Sequence, residues 1–232
     1  MNSCIILSII IPAYQEEENL RIILPRLYLA AQKLMVAFEI IVVDTQQSMD
    51  KTFNVCEENG VKYINREVGN NYGDAVVTGI KHAQGQYVIF MDADGSHTPE
   101  FVSELFAQHD NYDVVIASRY VTGGKTENNK ILILMSLLLN IVYSVVLNLK
   151  CKDVSNSFKL YHTSQLKKLK LNCKNFDIVE EIFLKLKRNK PDLKILEIPY
   201  CFKKRLYGKT KRNLFIFIVS YLYTITKLRF SK

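Results

Sequence analysis

The stretch from Tyr87 to Pro99 constrains the fold more than any other part of this 232-residue sequence. Its apolar run, Tyr87 to Met91, has the length of a buried strand and stops at Asp92 and Asp94, on a turn closed by Gly95. Residues i and i+2 at an extended strand end point to the same side, so the two carboxylates can converge on one hard cation. An acidic turn that only caps the next helix is the alternative. The stretch therefore predicts a strand that ends in a candidate Mg²⁺ or Mn²⁺ site.

Apolar strands alternate with single helices through the first half of the chain. The predicted strands are Ile5 to Ile11, Glu39 to Val43, Lys62 to Asn65, Tyr87 to Met91 and Val114 to Ser118. Single intervening helices imply right-handed crossovers and a mostly parallel sheet, which binds ligands at the carboxyl ends of its strands. Those ends carry Pro12, Tyr14 and Glu16, then Asp44, Asp92 with Asp94, and Arg119. The pattern predicts an α/β fold with a nucleotide site along this edge.

Two common nucleotide motifs are missing from the sequence. No G-x-G-x-x-G follows the first strand, and G-x-x-x-x-G-K-[ST] does not occur, which disfavours a dehydrogenase or a P-loop NTPase. Farther along, 154–161 is predicted as a strand that returns to the sheet, 176–189 as an amphipathic helix and 194–199 as another strand.

The positive charge is concentrated at the end of the sequence. The chain has a formal net charge of +8, and residues 198–232 contain nine Lys or Arg and no acid, so residues 1–197 have a net charge of −1. Such a segment favours an anionic partner, either a lipid headgroup, a phosphate-bearing substrate or nucleic acid, over a merely solvated tail. No nucleic-acid recognition motif occurs, so we expect no nucleic-acid partner. Five scattered cysteines and a first apolar run without a basic leader predict a reducing, cytoplasmic location and no signal peptide.

Two apolar stretches are candidates for contact with a membrane. Residues 131–149 are apolar except for Ser136, Asn140, Ser144 and Asn148, and a helix of this length would be ~28 Å long. It could lie in the membrane interface, span the bilayer or pack in the core. Residues 214–226 would form a shorter amphipathic helix flanked by Lys and Arg, suited to an anionic bilayer surface or to docking on the domain. We therefore expect a domain over 1–211 and a basic amphipathic helix over 212–232.

Seven short motifs follow one another in a recognisable order. They are I-I-P-A-Y-Q-E-x-x-N-L from residue 10, I-V-V-D ending at Asp44, Y-G-D-A from Tyr72, M-D-A-D-G-S-H-x-P-E from Met91, A-S-R-Y-x-x-G-G from Ala117, D-x-S-N-S-F-K-L-Y from Asp153 and R-x-x-G-x-x-K from Arg205. Together they resemble the family 2 glycosyltransferases of GT-A fold, and within them dolichyl-phosphate mannosyltransferase and related polyprenyl-phosphate glycosyltransferases. The resemblance covers nearly the whole chain.

The resemblance implies a role for each matched position. Residues around the donor base and ribose would be Pro12, Tyr14, Glu16, Val42 and Asp44, with Ala93 also on the donor side. Asp92, Asp94 and Ser96 would hold the metal with the diphosphate. Arg119, Arg205 and Lys211 would contact phosphate oxygens, for which cationic side chains are suited.

The activity implied by the resemblance is metal-dependent, inverting transfer of a sugar from a GDP- or UDP-sugar to a dolichyl or undecaprenyl phosphate at the cytoplasmic face of a membrane. A saccharide hydroxyl acceptor is the alternative, and it would need a general base such as Glu180, Glu181 or Asp153. Glu180 and Glu181 could instead be only first-turn acids of a helix. A nucleotidyltransferase is a remote alternative, because a Gly-rich phosphate loop would be expected where Pro12-Ala13-Tyr14 stands. A non-catalytic membrane-binding protein would leave the polar strand ends unexplained.

Overall fold

A computed structural model describes residues 4–208 and 224–230 of the chain. Its strands are β1 (Leu7–Pro12), β2 (Phe38–Asp44), β3 (Lys62–Asn65), β4 (Tyr87–Phe90), β5 (Val114–Ser118), β6 (Lys125–Thr126), β7 (Lys159–His162), β8 (Ile195–Pro199) and β9 (Cys201–Phe202). Its helices are α1 (Glu17–Gln32), α2 (Thr52–Glu58), α3 (Tyr72–His82), α4 (Val102–Phe106) after a 3₁₀ turn at Pro99–Phe101, α5 (Lys130–Val146), α6 (Thr163–Leu166) and α7 (Ile178–Asn189). Proline 25 lies inside α1 and does not end it.

Seven strands form one sheet in the order β3-β2-β1-β4-β7-β5-β8, and β6 pairs with β9 beside it. The strands β1 to β4 are mutually parallel, and β8 is parallel to β5. Only β7 runs in the opposite direction among the seven, between β4 and β5. All six residues of β1 are buried, as expected for a strand covered by helices on both faces. The predicted α/β fold with a mostly parallel sheet is confirmed.

The predicted strand over 154–161 is too long at its start. The structure begins β7 at Lys159, and residues 153–157 form a loop at the edge of the sheet. Side chains of this loop hydrogen-bond to the neighbouring backbone and to other side chains, with Asn156 Nδ2 donating to the Ala117 carbonyl and Ser157 Oγ donating to Asp92. Short polar side chains compete in this way with ladder hydrogen bonds, which is why the strand starts later.

Helices cover both faces of the sheet. Helix α1 packs its buried face, including Leu20 and Leu27, on the side of β1 that carries Ile9 and Ile11. Helix α3 packs on the other side, so closely that a Cβ built on Gly79 would lie 2.4 Å from Ile10 Cγ2. Apolar burial on both faces fixes the strand ends relative to one another.

Helix α5 exposes most of its apolar residues. It confirms the helix predicted near 131–149, and its first turn is capped by the Asn129 side chain, which accepts from the Ile131 N–H at 3.0 Å. Of its seventeen residues, Asn140 and Tyr143 are the buried ones. The large apolar residues left exposed are Ile131, Leu132, Leu134, Leu138, Ile141, Val142 and Val145. Within residues 4–208 and 224–230, no helix combines the length and the apolar character that crossing a membrane requires.

Most of the predicted C-terminal amphipathic helix lies outside the described residues, as do Lys209, Lys211 and Arg212. Its last part, 224–230, is helical, and Thr224, Ile225 and Leu228 are buried. Thr224 Oγ lies 3.2 Å from Asp177 Oδ2, and Arg188 Nη2 donates to the Leu228 carbonyl at 2.9 Å. This described part is therefore docked on the start and end of α7, which agrees with the docking alternative.

Candidate active site

The site lies at the carboxyl ends of the parallel strands, as predicted. Glu16 follows β1, Asp44 ends β2, Asp92 follows β4, and Arg119 follows β5. Since β1, β2 and β4 pair in parallel, their carboxyl ends meet at the same edge of the sheet. Asp94, two residues after Asp92, lies at the same edge. Five of the predicted polar residues are thus placed along one edge.

The turn after β4 is held by hydrogen bonds within itself. The Asp92 N–H donates to His97 Nδ1 at 2.9 Å, and Asp94 Oδ1 accepts from the Ser96 N–H at 3.0 Å and from Ser96 Oγ at 2.6 Å. Gly95 has φ +82°, a left-handed conformation that glycine adopts without a steric penalty. The two aspartate side chains remain 24% and 25% exposed. The turn is rigid while its carboxylates stay accessible.

His97 is a site residue that sequence reasoning missed. It is fully buried, its ring stacks on Phe158 with centroids 4.5 Å apart, and burial lowers its pKa so that the imidazole is neutral. Because Nδ1 accepts the Asp92 N–H, the ring proton is on Nε2, which faces Asp92 Oδ2 at 3.8 Å. Ser157 Oγ donates to the other carboxylate oxygen, Asp92 Oδ1, at 3.0 Å. The spacing D-x-D-x-x-H was the available signal.

The donor set at this turn fits a divalent cation that shares its coordination with a substrate. Among the described residues, no three His, Cys, Asp or Glu side chains cluster to hold a metal by themselves. Mg²⁺ is typically bound through one or two carboxylates together with substrate phosphates and water. Asp92 and Asp94 supply such oxygens, whereas the Ser96 hydroxyl donates to Asp94 and orients it. Direct ligation by Ser96 stays a prediction.

Arg205 lies at the same turn although it is 111 residues away in sequence from Asp94. Its Nη1 is 3.2 Å from Asp94 Oδ2, its Nη2 pairs with Glu16 Oε1, and its Nε donates to the Tyr207 carbonyl at 2.6 Å. The backbone next to Arg205 also contacts the turn, because the Leu206 N–H donates to the Asp94 carbonyl at 2.9 Å. The structure thus brings Arg205, Asp94 and Glu16 together. Lys211, predicted to act with Arg205, lies outside the described residues.

The donor-base side of the site is built around Asp44. Its Oδ2 accepts from Tyr63 Oη at 3.0 Å, while its Oδ1 is buried with no hydrogen-bond partner among the described residues. Burial raises the pKa of this carboxyl. A buried acceptor without a partner is costly for the fold and is the kind of atom that a ligand can satisfy.

Four other predicted donor residues have mixed placements. Tyr14 is exposed, whereas Pro12 and Ala93 are buried. Val42 packs inside the core of the α1 face, so any contact it makes with a donor is through its backbone. Their roles in donor binding stay predictions.

Arg66 is a second residue that sequence reasoning missed. It follows β3, is buried, and donates to the carbonyls of Ala13 and Asn70. Burial lowers its pKa, but a guanidinium starts so high that it stays charged, and its charge acts on Asp44. Its signal was the polar residue directly after the predicted strand Lys62 to Asn65.

We predict that Asp44→Asn stabilises the chain and weakens donor binding. Because the folded pKa is raised above the ordinary 3.8, the ionised form is favoured less in the folded chain than in the unfolded one. The variant's advantage should therefore be absent below pH 3.8, grow as the pH rises toward the folded pKa, and be full above it. We expect a Tm increase of about 2–4 °C at pH 7, the shift that ~1 kcal/mol gives at this size. Calorimetry across pH measures it.

The affinity for nucleoside diphosphates should fall about tenfold in the same variant, because a ligand donor would lose its charged acceptor. Asp110→Asn, on a largely exposed carboxyl, is the matched control and should change neither quantity. A loss of stability at pH 7 in Asp44→Asn would contradict the assignment.

Arg119 is held in a buried ion pair. Its Nε and Nη2 donate to the two carboxylate oxygens of Asp153 at 2.9 and 2.6 Å, and its backbone N–H donates to Asp153 Oδ2 at 2.8 Å. The guanidinium carbon lies 5.1 Å from the Tyr120 ring centroid and 5.5 Å from that of Phe202. The orientation of Arg119 is therefore set from several sides, and its contact with phosphate stays a prediction.

The three candidate general bases are all buried. Asp153 and Glu180 are 0% exposed and Glu181 is 2% exposed. Glu181 accepts from the Asn172 and Cys173 N–H groups at 2.9 and 2.8 Å and pairs with Lys185, so it ties a loop to α7. The contacts of Glu181 agree with the structural alternative, whereas the role of Glu180 stays a prediction.

Comparisons with known proteins agree with this geometry. Residues 8–170 match the model of the family described as glycosyl transferase family 2. A dolichol-phosphate mannosyltransferase of Pyrococcus furiosus is 33% identical over 88% of this chain and 58% of its own length. The yeast protein of the same name, from Saccharomyces cerevisiae, is 26% identical over 95% of this chain and 86% of its own. The chain thus spans 58% of the length of the Pyrococcus furiosus relative, which is less than two thirds.

Among solved structures, glucosyl-3-phosphoglycerate synthase from Mycobacterium tuberculosis, in complex with Mn²⁺, UDP and phosphoglyceric acid, has a TM-score of 0.75. It is 16% identical and covers 98% of this chain and 79% of its own. At that identity the likeness shows the GT-A fold alone. With the family model matching most of the chain, the conclusion is that this protein belongs to glycosyl transferase family 2 and has the GT-A fold.

Proposed function

We propose that this glycosyltransferase moves a sugar from a GDP- or UDP-sugar to a polyprenyl phosphate, with a divalent cation, at the cytoplasmic face of a membrane. The two relatives named as dolichol-phosphate mannosyltransferases support a lipid phosphate acceptor. The mycobacterial synthase, crystallised with UDP and with Mn²⁺ or Mg²⁺, supports a nucleotide donor and a divalent cation. All five cysteines are unpaired, which supports a reducing compartment.

The observation that carries the proposal is the burial of the candidate bases. A hydroxyl acceptor must lose its proton as it attacks, so it needs a general base within hydrogen-bond reach. Asp153 and Glu181 are occupied by structural contacts, and Glu180 is fully buried. A polyprenyl phosphate already carries an anionic oxygen and needs no base. The structure therefore favours the phosphate acceptor over the saccharide hydroxyl.

The chemistry follows from the charges around the diphosphate. The acceptor oxyanion attacks the anomeric carbon, the bond to the diphosphate oxygen breaks, and negative charge grows on the leaving nucleoside diphosphate. A cation bound at Asp92 and Asp94 would supply electrostatic stabilisation of that charge. On this chain, Arg205 lies beside Asp94 and can turn toward the diphosphate, and Arg119 is oriented at the next strand end. Glu16 holds Arg205 in reach.

Helix α5 is the proposed site of contact with the membrane surface. Its exposed leucines and valines form an apolar face without a protein partner among the described residues, and Lys130 lies at its start. An apolar helix face with flanking cations suits the headgroup region of an anionic bilayer. The polyprenyl chain of the proposed acceptor lies in the same bilayer, so this contact would place the site at its substrate.

We predict that Leu134→Glu/Leu138→Glu weakens binding to anionic vesicles about 10- to 100-fold, because each change removes an apolar group that would enter the interface. Both side chains are exposed, so the Tm should not fall. Met35→Glu, at a still more exposed apolar residue outside α5, is the control and should bind as the wild type does. Vesicle flotation measures the partition, and equal flotation of all three proteins would refute the contact.

The donor is tested by thermal shift with a panel of nucleotide sugars. A ligand that binds the folded chain stabilises it by about 2.7 kcal/mol at a hundred times its Kd. We expect a GDP- or UDP-sugar to raise the Tm by several degrees with Mn²⁺ present, and by much less with EDTA. If no nucleotide sugar shifts the Tm under either condition, the proposal fails.

A further inference from the structure

One polar residue of α5, Asn140, faces the interior, while the helix exposes a row of apolar residues on its other side. Asn140 is fully buried on this helix, next to leucines that are exposed. Burying an amide is costly unless its hydrogen bonds are satisfied, and those of Asn140 are. Its Nδ2 donates to the Ser136 carbonyl at 2.8 Å and to Ser155 Oγ at 3.0 Å, and its Oδ1 accepts the Ser155 N–H at 2.9 Å. Asn140 therefore forms two hydrogen bonds with Ser155.

Ser155 connects Asn140 to Arg119. Arg119 Nη2 donates to Ser155 Oγ at 3.1 Å as well as to Asp153 Oδ1 at 2.6 Å. The hydroxyl of Ser155 is thus the shared acceptor between the helix amide and the guanidinium. Two residues later, Ser157 Oγ donates to Asp92 Oδ1. The loop 153–157 consequently contacts α5, the arginine after β5 and the aspartate after β4.

We infer that Asn140 and Ser155 are positioning residues that fix the Arg119 guanidinium for contact with the diphosphate of the nucleotide donor. The inference rests on the proposed function, in which Arg119 contacts phosphate. Asp153 holds one edge of the guanidinium, through Nε and Nη2, and the Tyr120 and Phe202 rings lie near its carbon. The contact to Ser155, fixed in turn by Asn140, adds a hydrogen bond that restrains rotation of the guanidinium about the ion pair. Restraint before binding lowers the entropy cost of each phosphate contact.

The test is a double-variant cycle on the full-length chain, with the affinity for GDP and for UDP measured by calorimetry in Mn²⁺. Asn140→Ala and Ser155→Ala should each lower the affinity for whichever of the two nucleotides binds more tightly by about 3- to 10-fold. That is the usual effect of about one hydrogen bond in a charged network. Ser155→Thr keeps the hydroxyl and should bind like the wild type. Ser144→Ala is the matched control, since it removes a hydrogen bond of α5 to the Leu149 carbonyl that does not lead to Arg119.

The decisive arm uses Arg119→Lys, which keeps the charge and loses the fork. If Asn140 acts through Arg119, adding Asn140→Ala to Arg119→Lys should cause no further loss of affinity. A merely structural role would lower affinity and Tm in both backgrounds, and would make Ser144→Ala resemble Asn140→Ala. Either result overturns the inference, as does an unchanged affinity in Arg119→Lys. If Asn140→Ala does not fold, Ser155→Ala in the two backgrounds gives the same answer.

The outcome is separable from that of the proposed function. The cycle reads nucleotide affinity and needs no acceptor, so it decides the inference even if no lipid acceptor is glycosylated. Suppose that the wild-type chain transfers sugar to polyprenyl phosphate, but the losses of affinity from Asn140→Ala and Arg119→Lys add up in the double variant. The proposed function would then stand, and only the inference would fail.

Discussion

Asp92→Asn and Asp94→Asn should each lower the rate of sugar transfer by about 10²- to 10³-fold while leaving the fold intact. Each change replaces an anionic ligand by a neutral amide, and loss of one preorganised charge contact at a transition state costs that much. The fold should survive because both side chains are about a quarter exposed, and an asparagine oxygen can still accept from Ser157 or Ser96.

The measurement is the initial rate with saturating donor and Mn²⁺, together with the Tm of each variant. Asp192→Asn, on an exposed loop outside the site, is the control and should retain full activity. Activity that persists in EDTA, or in either variant at the wild-type level, would contradict a metal-dependent site at this turn.

Arg205→Ala should lower kcat/KM about 10- to 100-fold. A charge-assisted contact to phosphate contributes ~1.5–3 kcal/mol, and Arg205 is placed against Asp94, where the diphosphate would meet the cation. Because the contact strengthens as the diphosphate leaves, part of the loss should fall on kcat. The variant also leaves Glu16 without its cation, which should further weaken donor binding.

Lys203→Ala is the matched control for Arg205→Ala. Lys203 belongs to the same segment, but its side chain is 47% exposed and pairs with the exposed Glu127, an arrangement worth little energy. Steady-state kinetics of the two variants should therefore differ by at least tenfold. If both lose activity to the same extent, the segment acts only as a diffuse basic patch.

The parallel strands and their ligand edge could be predicted because they depend on local features. The apolar run before Asp92 and the helix after each strand are visible over a dozen residues, and the chirality of the crossovers fixes the topology. The start of β7 could not be predicted in this way, because Val154 and Phe158 on either side of three polar residues resemble part of a strand. Only the hydrogen bonds of Asn156 and Ser157 exclude this stretch from the sheet.

The side-chain network of the site is less predictable, since it joins residues that are far apart in the sequence. Arg205 pairs with Glu16 across 189 residues, and Arg119 pairs with Asp153 across 34. The spacing of apolar and polar residues along the sequence does not indicate which distant side chains pair. The pairing with Arg119 changes the interpretation of Asp153, from a candidate base to an acid that orients a cation. Asn140 illustrates the same limit, because its spacing with Ser136 and Ser144 indicates a polar stripe and not a contact with Ser155.

The acceptor tests the account most directly. Vesicles that contain equal amounts of a polyprenyl phosphate and the corresponding polyprenol should be incubated with the chain, Mn²⁺ and the labelled nucleotide sugar selected by thermal shift. Mass spectrometry of the lipid fraction then gives the ratio of polyprenyl glycosyl phosphate to polyprenyl glycoside. We predict that the label is found on the phosphate and is equimolar with released nucleoside diphosphate. Label found on the alcohol, or on neither lipid, would contradict the central claim.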